Sequence, residues 1–176
     1  MTQGRGFSLV ELIVAVVLLA ILTSIAVPSF QNLLQRNRIA SSANLLLTHI
    51  QLARIRAIMD AATVVICPSI DGSICAPDNE AWSQGWLVFK DLDFRQPPRL
   101  DPEDSLLLAH QNGSAWATVN TSLTHIRYSP AGDSARNGTL TLCSRSDSHY
   151  ARAIIISIVG RARVSKATQD DCFGYT

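Results

Sequence analysis

An apolar run near the N-terminus constrains the fold of this chain more than any other feature. Residues 12–27 contain no charged residue, and Glu11 stands directly before them. Together with the apolar residues on the other side of Glu11, the run is long enough for a helix that spans a membrane, with Glu11 inside it. A carboxylate inside such a span costs about 2.5–3.5 kcal/mol on insertion scales, so its presence indicates a function and a partner. The partner that the sequence offers is a new cationic amino terminus, created if the chain is cut after Gly6.

The residues before the run differ from an ordinary secretory signal. Such a signal has a positive first region, an uninterrupted apolar core and a small-residue cleavage site behind that core. Here Arg5 is the only basic residue of a six-residue leader, and the candidate cut precedes the apolar run. The alternative is an uncleaved anchor with a tolerated charge near the interface. That alternative gives no reason for the positions of Gly6, Phe7 and Glu11 relative to one another.

One long helix is predicted from about Leu9 to Met59. Its first half is apolar nearly all round, and its second half is amphipathic. The apolar positions of the second half are Ile39, Ala43, Leu46, Leu47, Ile50, Ala53, Ala57 and Ile58. About 50 helical residues would extend roughly 75 Å, more than twice the hydrocarbon thickness of a bilayer. The helix should therefore leave the membrane near Pro28, where a kink or loosening is expected, and end in a folded head.

After Asp60 the pattern changes to short runs of branched and aromatic residues bounded by turn formers. The predicted strands are 63–67, 86–90, 106–109, 123–128, 138–143 and 152–164. The last is long and nearly continuously apolar, which favours a central position. The predicted fold class is α+β, with the helix packed against an antiparallel β-sheet head. The predicted divisions are a leader (1–6), a membrane-spanning helix (7–29) and a head (30–176).

All four cysteines lie beyond the apolar run, at Cys67, Cys75, Cys143 and Cys172. They form no CxxC pair, and the scattered histidines suggest no ligand set, so we expect neither a metal nor a cofactor. An even number of cysteines in an exported domain indicates disulfides, and four cysteines allow three connectivities. We favour Cys67–Cys75, closing a short loop, and Cys143–Cys172, tying the C-terminal tail to a strand. The expected compartment is the periplasm or surface of a bacterium.

The net charge of +1 conceals an uneven distribution. The acidic segment, residues 68–104, has eight acidic residues against three basic ones, whereas residues 127–166 have seven basic residues against two acidic ones. Such asymmetry indicates an anionic partner or contacts between subunits. The alternative is a solvated surface on which the charge is unevenly placed.

From Gly6 to Glu11 the chain resembles the class III signal of type IV pilins and type II secretion pseudopilins. The resemblance implies that a prepilin peptidase cuts between Gly6 and Phe7 and methylates Phe7. It also implies that Glu11 meets the N-terminal amine of a neighbouring pilin during assembly, where opposite charges in a poorly solvated medium attract strongly. The chain would reside in the inner membrane with its head in the periplasm, and then in a pilus fibre or at its tip.

The head resembles the FimT, FimU and GspH group of minor pilins and pseudopilins, and within it FimT most. The residues that carry the resemblance are Arg54, Arg56, 64–68, Asp71, Gly72, Cys75, Trp82, 85–89 and 160–163. Trp82 and Trp86 are expected in the core rather than in a ligand platform. No nucleophile elbow, phosphate loop or metal cluster is present in the sequence, so we expect no enzyme activity and no catalytic residue.

Gly160, Arg161 and Arg163, followed by Lys166, form the main functional hypothesis. Residues two apart on a strand point to the same side, so the two arginines would present guanidinium groups whose Cα atoms lie about 6.6 Å apart. Guanidinium binds phosphate oxygens bidentately and keeps its charge at neutral pH. Arg136, Arg145 and Arg152 would widen this patch if the fold brings them close.

In FimT-type minor pilins linked to natural transformation, a GRxR motif near the C-terminus is associated with DNA binding. The resemblance therefore implies that this chain binds extracellular double-stranded DNA through phosphates, without base reading. Two structural alternatives remain open for the arginines: protection of a sheet edge, or ion pairs with the acidic segment. The alternative function is a structural minor pilin, or a GspH-like pseudopilin, that primes fibre assembly without binding DNA.

Overall fold

The computed structural model of the chain describes residues 8–111, 117–145 and 150–173. Gly6 and Phe7, at the expected cleavage site, lie outside the described residues. The helices and strands are α1 (Leu9–Met59), β1 (Val64–Pro68), a 3-10 helix (Asn79–Ser83), β2 (Gly85–Lys90), β3 (Ser105–Gln111), β4 (Ala117–Asn120), β5 (Ile126–Tyr128), β6 (Gly138–Ser144), β7 (Ala151–Ile156), β8 (Ala162–Ala167) and a second 3-10 helix (Asp170–Cys172).

The long helix α1 has the bounds that the hydrophobic pattern predicted, and it continues through Pro28. The chain divides into two compact units, one ending at Asn37 and the other beginning at Arg38. Part of α1 is long and apolar enough to cross a membrane, with a mean hydropathy of 2.8 over 18 residues, none of them buried. In the second unit α1 buries one face, formed by Ile39, Ala43, Leu46, Ile50, Ala53 and Ala57.

The strands form two four-stranded sheets rather than the single sheet expected. The first has the order β3-β2-β1-β5 and the second the order β4-β6-β7-β8, and all neighbours are antiparallel. The α+β class is confirmed. β1 is buried along its whole length, because one of its faces belongs to the main core and the other is covered by a smaller cluster around Phe89 and Leu100.

The main core lies between the buried face of α1 and both sheets. α1 contributes Leu46 and Ile50, the first sheet contributes Val88, and the second contributes Leu140 and Ile154, all fully buried. Burying apolar side chains contributes about 25 cal/mol per Å² removed from water, so this shared core is what holds the helix and the two sheets together.

The predicted strand 152–164 is wrong as a single strand. It is a hairpin in which β7 pairs with β8 and Ile156 lies opposite Ala162. Gly160 has φ +76°, a left-handed conformation that glycine adopts without steric cost, and it ends the turn. Branched residues continue from β7 into the turn at Ile158 and Val159, and for this reason the pattern resembled one uninterrupted strand.

The four cysteines form two disulfides, Cys67–Cys75 and Cys143–Cys172, the pairs that the sequence favoured. The second ties the C-terminal 3-10 helix to β6. Trp82 and Trp86 are core residues, as expected. The indole N–H of Trp82 donates to the Leu123 carbonyl at 2.8 Å, and that of Trp86 donates to Nδ1 of His49 on α1 at 3.0 Å.

Candidate nucleic-acid interface

The hairpin tip, residues 157–161, positions the first of the two candidate arginines. The Gly160 N–H donates to the Ser157 carbonyl at 2.8 Å, and the Ser157 N–H donates to the Arg161 carbonyl at 3.0 Å. The Ser157 hydroxyl also donates to the Arg161 carbonyl at 3.1 Å and accepts the Arg161 N–H at 3.2 Å. A tight turn followed by a left-handed glycine is a common way to close a hairpin. The backbone of Arg161 is therefore held directly before β8.

Arg161 and Arg163 lie on the outer side of the second sheet. Arg163 is opposite Ile155, whereas its neighbour Val164 is opposite the buried core residue Ile154. Because side chains alternate along a strand, Arg163 and the position two residues before it point away from the core. Both arginines are exposed, and neither makes an ion pair with any described residue. This arginine pair is the part of the predicted patch that the fold brings together.

Gly160 has a packing role that is separate from the arginines. A Cβ added to it would overlap the carbonyl oxygen of Gly132, in the loop after β5. Arg54 of α1 joins the tip to the loop after β5. Its Nε donates to the Gly132 carbonyl at 2.7 Å, and its Nη2 donates to the Val159 carbonyl at 3.2 Å. The Ser134 N–H donates to the Ile158 carbonyl at 2.9 Å. The tip is thus anchored to the rest of the head.

Lys166 does not extend the arginine pair along one side of the strand. It is three residues from Arg163, so it points to the other side, where it lies opposite Arg152 of β7. Arg152 is half-buried, and its Nη1 donates to the Ala151 carbonyl at 2.9 Å. Lys166 and Arg152 form a second, separate cationic pair farther from the tip.

Arg145 and Arg136 are both exposed, but the fold places them apart from each other. Arg145 follows β6 at the end where Cys143 pairs with Ala151, which is the end opposite the hairpin tip. Arg136 lies in the loop between β5 and β6, where its carbonyl accepts the Ser134 hydroxyl at 2.8 Å. The seven-residue patch envisaged from the sequence is therefore not continuous.

Three carboxylates of the acidic segment, Asp91, Asp93 and Asp101, form ion pairs with arginines of the head. The carboxylate of Asp91, 1% exposed, accepts from Nη2 of Arg127 at 2.7 Å and from the Phe94 N–H at 2.9 Å. Burial raises the pKa of Asp91, and the Phe94 N–H and the Arg127 charge act against that rise. Arg95 pairs with Asp93 and with Asp101. Ion pairs between the arginine pair and the acidic segment are not observed within the described ranges.

The sequence pattern did not predict the exposure of two residues of the tip. Ile158 and Val159 are 64% and 63% exposed, although their pattern predicted a buried strand. Ser157 and Gly160, three residues apart, are the signal that could have revealed a turn between them. Within the described part of the chain, no group of three or more His, Cys, Asp or Glu residues is placed to hold a metal ion.

Comparisons with known proteins agree with this architecture. The family model of the type II transport protein GspH matches residues 42–160, and that of the prokaryotic N-terminal methylation motif matches residues 1–27. No curated protein sequence matches the chain.

Solved structures of similar fold include the type IV minor pilin FimU of Pseudomonas aeruginosa PAO1 in two crystal forms. One is 20% identical with a TM-score of 0.56, covering 74% of this chain and 90% of that one. The other is 18% identical with a TM-score of 0.55, covering 72% and 92%. The minor pseudopilin EpsH from the type 2 secretion system of Vibrio cholerae is 9% identical with a TM-score of 0.51, covering 72% and 95%. At these identities the likeness shows the fold alone.

Proposed function

This chain belongs to the family of the type II transport protein GspH, and we propose that it is a FimT-like minor pilin whose head binds extracellular double-stranded DNA through Arg161 and Arg163. Its membership makes it a minor pilin or pseudopilin, a structural component of a fibre and not an enzyme. The DNA-binding role rests on one observation: two exposed guanidinium groups, two residues apart on the outer side of the β7–β8 hairpin, have no ion-pair partner among the described residues.

Phosphate is the ligand that this pair suits best. Guanidinium forms bidentate, charge-assisted hydrogen bonds with phosphate oxygens and stays charged at every physiological pH. Contacts to phosphates carry no sequence information, so binding should be independent of sequence and weaken steeply with salt. This role would support DNA uptake in natural transformation. Lys166 and Arg152 lie on the other side of the hairpin. Their charge would attract DNA, but they would not contact the phosphates that Arg161 and Arg163 bind.

Assembly would follow the route of pilins. The match of the methylation motif to residues 1–27 supports cleavage between Gly6 and Phe7 by a prepilin peptidase, with methylation of Phe7. The apolar part of α1 would hold the chain in the inner membrane, and Glu11 would then pair with the amine of a neighbouring pilin as the chain enters the fibre.

A second candidate is a structural minor pilin or GspH-like pseudopilin that primes a fibre without binding DNA. One observation favours it: the match to the GspH family ends at Gly160, directly before Arg161, so the family match does not include the arginine pair. Gly160 is itself accounted for by its packing on Gly132. The two candidates therefore differ only in what Arg161 and Arg163 do.

The test is a titration of a fluorescently labelled DNA duplex with the full-length chain in a nonionic detergent, repeated at several salt concentrations. We expect the double variant Arg161→Ala/Arg163→Ala to lose at least about tenfold in affinity. We also expect the slope of log K against log salt to become shallower by about 1.8, since each lost phosphate contact contributes about 0.9.

The matched control is Arg95→Ala/Arg99→Ala, which removes two exposed positive charges from the acidic segment. It should leave affinity and slope close to those of the wild type. Equal binding by the wild type and the Arg161→Ala/Arg163→Ala variant would show that the arginine pair does not hold the DNA, and no binding by the wild type would support the structural candidate instead.

A further inference from the structure

Ile158 and Val159 occupy the two central positions of the hairpin turn with their side chains mostly in solvent, 64% and 63% exposed. Tight turns favour glycine, asparagine, aspartate and proline, because these residues suit the turn backbone or bond to it. Two branched apolar residues gain nothing from folding at this position, since they are neither buried nor well suited to the turn. They are therefore available for a contact outside the isolated chain.

The tip is held rigidly although its side chains are free. The Ile158 carbonyl accepts the Ser134 N–H at 2.9 Å, and the Val159 carbonyl accepts Nη2 of Arg54 at 3.2 Å. Gly160 packs directly on Gly132. A partner that contacts Ile158 and Val159 therefore does not have to order the backbone first, and this lowers the entropic cost of binding.

The surroundings of the tip indicate an anionic partner. Arg161 is the last residue of the tip, Arg163 lies two residues further along the chain, and Arg54 bonds to the tip from α1. The nearest carboxylate in sequence to this packing site is Asp133, which accepts a hydrogen bond from the Ser129 hydroxyl. Ile58 of α1, 48% exposed, also lies beside Gly132, since its Cδ1 is 2.5 Å from where a Cβ on Gly132 would lie.

We propose that the hairpin tip is the non-electrostatic part of the DNA interface: Ile158 and Val159 enter a groove of the duplex and contact its sugars while Arg161 and Arg163 hold the phosphates. This inference rests on the proposed function. A two-stranded β-ribbon fits the major groove, and branched apolar side chains wedge between base steps in proteins that bind the minor groove. A phosphate-only site would need no apolar tip.

The experiment uses the same full-length chain in nonionic detergent and the same labelled duplex. The variant Ile158→Ser/Val159→Ser should raise the Kd about tenfold at every salt concentration while leaving the slope of log K against log salt unchanged, because it removes apolar burial and no charge. Thermal unfolding should be unaltered, since both side chains are exposed. The matched control, Ile70→Ser/Ile74→Ser, changes two exposed apolar residues near the Cys67–Cys75 disulfide and should bind like the wild type.

The outcomes separate this inference from the function on which it rests. If Arg161→Ala/Arg163→Ala weakens binding and Ile158→Ser/Val159→Ser does not, the apolar contact is wrong while the DNA-binding function stands. If the wild type does not bind DNA, both fail. If Ile158→Ser/Val159→Ser keeps its DNA affinity but no longer enters the fibre, the tip contacts a neighbouring pilin and the inference is overturned.

Discussion

In the acidic segment most of the carboxylates are bonded within the fold, whereas at the β7–β8 hairpin the two arginines are exposed to solvent. Six of the eight carboxylates of the acidic segment have partners, namely Asp71, Asp78, Asp91, Asp93, Asp101 and Asp104. By contrast, Arg161 and Arg163 make no ion pair with any residue that the structure describes.

The difference separates charges that contribute to the stability of the head from charges that the head does not need in order to fold. A buried charge must be paired, because taking it out of water costs several kcal/mol. An exposed arginine adds little to stability, so its loss should leave the fold intact and change only what the surface binds. Charge alone therefore does not indicate a binding site, but an exposed charge without a partner is one that a ligand can use.

The largest difference between two compared variants should come from removing the partner of a buried charge and, for comparison, an exposed charge. Arg127→Met leaves the carboxylate of Asp91, 1% exposed, without its guanidinium. We expect it to lower the free energy of unfolding by about 3 kcal/mol, whereas Arg163→Ala should change it by less than about 0.5 kcal/mol. Urea unfolding followed by tryptophan fluorescence measures both. The pKa of Asp91 should rise further in the variant, so the loss is greatest at neutral pH.

The double variant Asp91→Asn/Arg127→Met serves as the control for this comparison. It removes both charges, so it should be clearly more stable than Arg127→Met alone. Similar losses for Arg127→Met and Arg163→Ala would show that the two regions do not differ in the way inferred here.

The next effect distinguishes the anchored tip from an ordinary turn. Gly160→Ala and Gly72→Ala both place a side chain at positive φ, +76° and +77°. A Cβ at Gly160 meets the backbone of Gly132, whereas one at Gly72 meets only the flexible end of Gln111, 3.0 Å away. We expect Gly72→Ala to cost about 1 kcal/mol and Gly160→Ala about 3 kcal/mol, measured by thermal or urea unfolding. Equal costs would mean that the tip is not anchored on Gly132.

The smallest effect is on the pH dependence of stability. Burial, and then the nearby His110, lowers the pKa of His49, and burial with Arg127 and Arg136 lowers the pKa of His125. The unfolded chain binds these protons near pH 6.5 and the folded chain only at lower pH. This contribution is therefore fully present above about pH 6.5 and declines as the pH falls through the lowered pKa values.

The urea midpoint should accordingly be slightly lower at pH 5.5 than at pH 7.5, with a smaller difference in His49→Gln. DNA affinity should not decrease as the pH rises from 5.5 to 7.5 while the chain stays folded, because arginine keeps its charge over this range. A loss of DNA binding by the folded chain as the pH rises would indicate that histidines, and not the arginine pair, hold the phosphates.

Local patterns predicted the parts of the fold that depend on local interactions. The bounds of α1 followed from helical periodicity, and the burial of Ile39, Ala43 and Leu46 followed from the same pattern. Both disulfides and the core positions of Trp82 and Trp86 were also predicted. The division of the strands between two sheets was not, because pairing between distant strands leaves no signal in a single run of residues.

The sequence by itself determined that the chain has a long helix with an apolar first half, a disulfide-bonded α+β head and two arginines placed to face one way. Only the tertiary structure decided that residues 152–164 turn back as a hairpin, because the contact of Gly160 with Gly132 and the hydrogen bonds of Arg54 involve residues far apart in the chain. It also put Lys166 on the other side of the strand and left Ile158 and Val159 exposed. Alternation along a strand is local, but the exposure of a turn depends on everything packed around it.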